Sequence, residues 1–355
     1  MIKINKSPIL TSKNYGVNYF EVEEKDLQAS SNSKPLTDLV NISVENCECK
    51  EMELKDVPQI VISEKLEAQV KNQSNFIKNF VIEKDSNKPL IVSFNDNIGL
   101  IGAVRVRVKE DVYASVIIKL NSHNVSYNNI VITLDVCENA NLNLMFVSDI
   151  NSQSNSYVSV IGNCDTNSQL NLSIVDFGCK NTAQNVSVNL NNELSRFNLN
   201  SIYFGGKTER LSLNYLSNVY GPKSNTNIDV CGVLTGNATK NFLGTIDFKT
   251  GCAKSKGNVN EHGILLSDNV KANSTPILLS TEEDVDGSHS ASVGKIEDDE
   301  LFYIMSRGIP KQDAIKLLVK AKLVKLTNDV LDDNLKLQIY KRIEEKIDEE
   351  NWRYI

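Results

Sequence analysis

The sequence is poor in the residues from which most catalytic and membrane-crossing devices are built. Among 355 residues there is one tryptophan, and there are only three histidines. His123, His262 and His289 stand far apart and form no His-Glu-x-x-His pair, which excludes the zinc helix of that protease class. No Gly-x-Ser-x-Gly elbow is present. Gly206-Lys207-Thr208 has the ending of a phosphate loop, but the glycine required five residues earlier is Ser201. No stretch approaches the roughly 20 apolar residues that cross a bilayer. Met1 to Lys6 leads into no apolar run, so no secretory signal is expected. Excess basic charge is missing too: the net charge is −7, which argues against a nucleic-acid backbone as ligand. The seven cysteines are odd in number and scattered, a poor disulfide framework that suits reduced thiols in the cytoplasm.

What is present is alternation. Residues 1–75 are mixed and charged and read as an irregular N-terminal region. From residue 76 to residue 285 almost every stretch carries strand signal. Leu170, Leu172 and Ile174 share one face, as do Val186, Val188 and Leu190, and Leu211, Leu213 and Tyr215. Such stretches start roughly every 11–16 residues, with Asn, Ser, Gly and Asp between them. A sandwich shares that spacing. The run is longer than an ordinary sandwich, however, and its outward positions are repeatedly Asn or Ser, which stack in register from coil to coil. The pattern favours a parallel β-helix.

Residues 286–355 are expected to be a helical region, with helical periodicity from about residue 297. Asp298, Asp299 and Glu300 place negative charge at a helix start. Gly308 and Pro310 separate that helix from a second, on which Ile315, Leu318, Val319 and Leu323 share a face. Leu335, Ile339, Ile343 and Ile347 mark a third. These stripes suit either packing on the solenoid's end, which needs a cap, or a partner's groove. Cys47-Glu48-Cys49 is a weak soft-metal pattern without a second pair. Cys137, Cys164, Cys179 and Cys231 lie in or beside strands, where a thiol behaves as a small hydrophobe.

One segment is more specific. From residue 242 to residue 323 the chain runs through Gly-Ile-Leu-Leu-Ser-Asp and Ser-Thr-Pro-Ile-Leu to a His-x-Ala-x-x-Gly piece (His289, Ala291, Gly294). Leu-Phe-Tyr-Ile-Met-Ser-Arg-Gly follows, from Leu301 to Gly308. This order resembles the C-terminal half of the SufB and SufD scaffold subunits of iron–sulfur assembly. The resemblance implies a right-handed parallel β-helix and a non-catalytic cytoplasmic scaffold paired with a second SufB/SufD-like subunit or with itself. It also implies docking on the ABC-type ATPase SufC through Leu301, Phe302, Tyr303, Ser306, Arg307 and Gly308, and no binding of nucleic acid or membrane. A transient iron–sulfur cluster is expected near the subunit interface, with His289 as the leading ligand and Glu261 and Cys252 next. The departures are specific. Gly287 stands where SufD has a cysteine, Glu261 where SufB has one, and Ser290 where SufB has a glutamate. A structural β-helix without a cluster role is the alternative reading. A polysaccharide-active β-helix enzyme is disfavoured, since strand exteriors are Asn, Ser and Lys and Trp352 is remote.

Overall fold

The alternating stretches become strands in a computed structural model of the chain, which describes residues 1–7, 18–28, 40–43, 47–50, 62–86, 88–95, 99–324 and 333–349. Four short strands come first: β1 (Ile2–Ile4), β2 (Phe20–Val22), β3 (Val40–Ser43) and β4 (Cys47–Lys50). The solenoid begins with β5 (Phe76–Ile82) and β6 (Leu90–Asn95), and β7 to β15 fill Gly99–Val219. It ends with β16 (Asn225–Leu234), β17 (Thr239–Phe248), β18 (Ser255–Leu265), β19 (Lys271–Ser280) and β20 (Val285–Gly294). Odd and even strands from β5 onward fall into separate sheets, each strand pairing in parallel with the strand two places away. The result is a parallel β-solenoid of about 8 turns, two strands per coil. β4 closes the N-terminal edge of one sheet antiparallel to β5, and β3 does the same on β6.

Register explains why period two and small polar residues go together. Each residue lies beside its counterpart one coil away, so like sits on like. Leu142, Leu170 and Phe197 stack in this way inside the lumen, each at 0% exposure. Outside, asparagines form ladders. Asn171 donates to Asn143 (2.7 Å) and Asn198 to Asn171 (2.8 Å) on one sheet. On the other, Asn189 donates to Asn163 (3.1 Å) and Asn218 to Asn189 (2.9 Å). A carboxamide offers both donor and acceptor, so the chain of bonds continues without charge repulsion.

Helices cover the flanks rather than the end. α1 (Glu64–Gln73), capped by the Ser63 hydroxyl, buries Leu66 and Val70 against Ile101, Tyr127, Val131 and Tyr157 of the odd-numbered sheet. α2 (Asp298–Ser306), α3 (Lys311–Val324) and α4 (Asp333–Glu349) follow the last strand. Ile315, Val319 and Leu323, with Leu335, Ile339, Ile343 and Ile347, pack on an outward apolar row that includes Val175, Phe177, Ile202 and Phe204. Arg342 fastens α4 by donating to Asp149 at 3.0 Å. The expectation that these stripes cap the solenoid's end is thus corrected. The outer face of the even-numbered sheet carries an apolar row beside its asparagine ladder, and that row needs a cover more than the end does.

Candidate functional site

The candidate ligands lie around the last two coils. His289 pairs in register with Val259, whose side chain is buried in the lumen, so the histidine occupies the lumenal face of β20. No coil follows among the described residues, and His289 is exposed. It makes no side-chain hydrogen bond among the described residues.

Glu261 points inward from the neighbouring strand at 0% exposure. Its Oε1 accepts from the Lys240 ammonium and from the Tyr203 hydroxyl, the latter at 3.2 Å. Lys240, also 0% exposed, donates in addition to Ser274 Oγ at 2.9 Å. Burial lowers the Lys240 pKa, and the facing carboxylate opposes that shift. Glu261 Oε2 has no partner in the lumen. Gly232 makes room for this cluster, because a Cβ there would lie 2.2 Å from the Tyr203 ring.

Cys252 occupies the turn before β18, fully buried and joined to the lumenal core. Burial, and then the nearby Glu282 charge, raise its thiol pKa. The strand from Ser255 to Asn260 lies between it and Glu261. Within one copy, therefore, the three residues form no common set, and no group of three or more metal-ligating side chains occurs among the described residues. All seven cysteines are free thiols; Cys47 is half-buried and Cys49 exposed, on β4.

Lys240 was missed in the sequence, where a lysine among strands reads as solvent-facing. Its signal was parity: it shares the inward face with Phe242, Ile246 and Phe248.

The second candidate surface is on α2. Leu301 is turned down onto the sheet, while Phe302 and Tyr303 are 72% and 60% exposed. Arg307 lies over the Tyr303 ring at 5.0 Å and donates to its hydroxyl at 2.9 Å. Ser306 donates back to the Tyr303 carbonyl at 2.7 Å, and Gly308, at φ 88°, ends the helix. Two aromatic side chains and a stacked guanidinium held open to solvent have the composition of an interface centre.

Residues 91–322 match the family model described as "SUF system FeS cluster assembly, SufBD core domain". The iron–sulfur cluster assembly protein SufD of Bacillus subtilis is 32% identical over 143 residues, 40% of this chain and 32% of that protein. SufD of Escherichia coli is 33% identical over 106 residues, 30% of this chain and 25% of its own length. An iron–sulfur cluster assembly SufBD family protein of Pyrococcus horikoshii is 38% identical over 77 residues, 22% of this chain and 17% of that one. The chain thus spans about a third or less of the length of these curated relatives. The family match covers the coils from β6 onward together with α2 and most of α3, which include both candidate surfaces, and on that ground the chain belongs to the SufBD core family of the SUF iron–sulfur cluster assembly system.

Proposed function

We propose that the chain is a non-catalytic scaffold subunit of a Suf-type complex, recruiting a SufC-type ABC ATPase through α2 and pairing through its last coil. The observation that carries the reading is the Phe302–Tyr303–Arg307 patch. It is apolar, exposed and preorganised on a helix anchored by Leu301. Truncating such anchors typically costs about 2 kcal/mol or more of binding free energy. The test is co-purification with the ATPase. Phe302→Ala with Tyr303→Ala should abolish it, whereas Leu337→Ala, also exposed but on α4, should not. Point variants are preferable to deleting residues 297–355, which would uncover the apolar outer row of the sheet. Persistence of the complex in the double variant sinks the docking assignment.

The pairing surface of this reading is the outer edge of β19 and β20, where backbone donors and acceptors have no further strand. A second SufB/SufD-like subunit, or a second copy, would add strands there. His289 at that edge is the leading ligand for the nascent cluster, which is the complex's cargo. Glu261, engaged by Lys240, and Cys252, buried, are the next candidates and would need to rearrange. A pair of subunits supplies more donors than one chain does, as the usual four cluster ligands demand. Free thiols throughout are compatible with a reducing cytoplasm.

A further inference from the structure

On the outer face of the even-numbered sheet, opposite to the face that carries His289, a cleft of about 440 Å³ opens between β16, β18, β20 and the end of α3. Its floor holds Cys231 and His262, which are direct partners in the parallel register. Adjacent strands lie about 4.8 Å apart. A thiolate and an imidazole on one tetrahedral cation sit about 3.5 Å apart, from bond lengths of ~2.3 and ~2.0 Å. A cross-strand Cys–His pair on one face meets that requirement with small side-chain adjustments. His262 is exposed to the cleft and has no hydrogen-bond partner among the described residues, so its ring is free to turn.

The electrostatics favour a cation. The two lysines at the rim are already neutralised: Lys295 by Asp268, and Lys322 by Glu300 at 3.6 Å. Asp229 accepts only from the neutral amides of Asn227 and Asn260, and Glu297 has no cation beside it among the described residues. Two carboxylates thus remain without a matching positive charge.

We propose that Cys231 and His262 form a binding site for a borderline divalent cation, ferrous iron or zinc, in this cleft. Sulfur with imidazole nitrogen selects such ions over magnesium or calcium. With two protein donors, the remaining positions go to water or to a group brought by another molecule, so the ion is exchangeable. Burial pushes the Cys231 thiol up to about 12, and the bound cation takes the place of its proton. The site does not depend on the scaffold reading, since it lies across the sheet from His289 and uses neither Phe302, Tyr303 nor Arg307.

The test titrates the full chain, anaerobically, with cobalt(II) as the spectroscopic probe. The parent should develop a near-ultraviolet thiolate-to-cobalt band at one equivalent, and zinc should bleach it. Cys231→Ser should abolish the band. His262→Ala, at an exposed position that leaves the fold intact, should weaken binding about tenfold or more, no less than is lost with an outer-shell partner. Cys47→Ser with Cys49→Ser should leave the band unchanged, which separates this site from the Cys-x-Cys segment. No band in the parent, a band that survives Cys231→Ser, or unchanged affinity in His262→Ala overturns the proposal.

Discussion

Single residues inside the lumen carry most of the electrostatic strain. Lys240 and Glu261 are both withdrawn from water and are paired with each other. Removing one leaves the other uncompensated, so Lys240→Met should destabilise the chain by about 3–5 kcal/mol. Adding Glu261→Gln to it should recover a good part of that loss. Denaturant midpoints of the single and double variants, measured side by side, check this; equal loss in both would mean that the pair is not coupled. Asp176 is a second case. It is buried, and burial pushes its carboxyl up to about 6, although the Gly178 amide and Gln184 pull the other way. The unfolded chain releases that proton near 3.9. Between these values the folded chain holds more protons, so stability is greatest below about pH 4 and falls as pH rises through 6. The total is about 3 kcal/mol. Asp176→Asn should remove this slope, as read from unfolding midpoints at pH 4 and pH 7.

At the scale of elements, the outer sheet face and the C-terminal helices depend on each other. Ile343 is 1% exposed beneath α4, amid a row that the sheet cannot leave bare. Ile343→Asp should release α4 while the coils stay intact. Limited proteolysis should then cut within α4, residues 333–349, at protease levels that leave α4 of the parent whole, with strand circular dichroism unchanged. Resistance equal to the parent's would mean that α4 is held by contacts other than this stripe. The elements also show what could be read in advance. The coils whose inward residues are large announced themselves, as in Leu170–Leu172–Ile174. β20 did not, because its lumenal face is Gly287, His289, Ala291 and Val293, with no large apolar residue, at a coil with no successor among the described residues. β16 was obscured by Asn227, Asp229 and Gly232, which meet Asn258, Asn260 and Tyr203 of the neighbouring strands. The candidate site was legible only through a resemblance in residue order. That Glu261 faces Lys240 follows from coil-to-coil geometry, which a linear alternation does not contain.

The whole molecule is close to one-dimensional: each coil contacts the coil before and the coil after it. Stability in such an array is roughly a sum of nearest-neighbour terms, so interior coils have two supports and the last has one. Amide hydrogen exchange should therefore be slowest in the strands from β9 (Tyr127–Val136) to β16 and fastest in β19 and β20. Pairing with a second subunit should slow exchange in β19 and β20 specifically. Uniform protection from β5 to β20 in the isolated chain would contradict this. The N-terminal end should not mirror the loose C-terminal one, since β3 and β4 close it antiparallel.

The asparagine ladders have a consequence for how such a chain can change in length. The rungs repeat at 26 to 31 residues, one coil, and the interior amides Asn171 and Asn189 both give and receive. A segment of one full coil can be added or lost with the rungs rejoining across the junction, whereas half a coil would move every later strand to the opposite sheet. Length is thereby counted in whole steps of about 4.8 Å. The solenoid works as a ruler, fixing how far the covered N-terminal edge stands from the coil that carries His289.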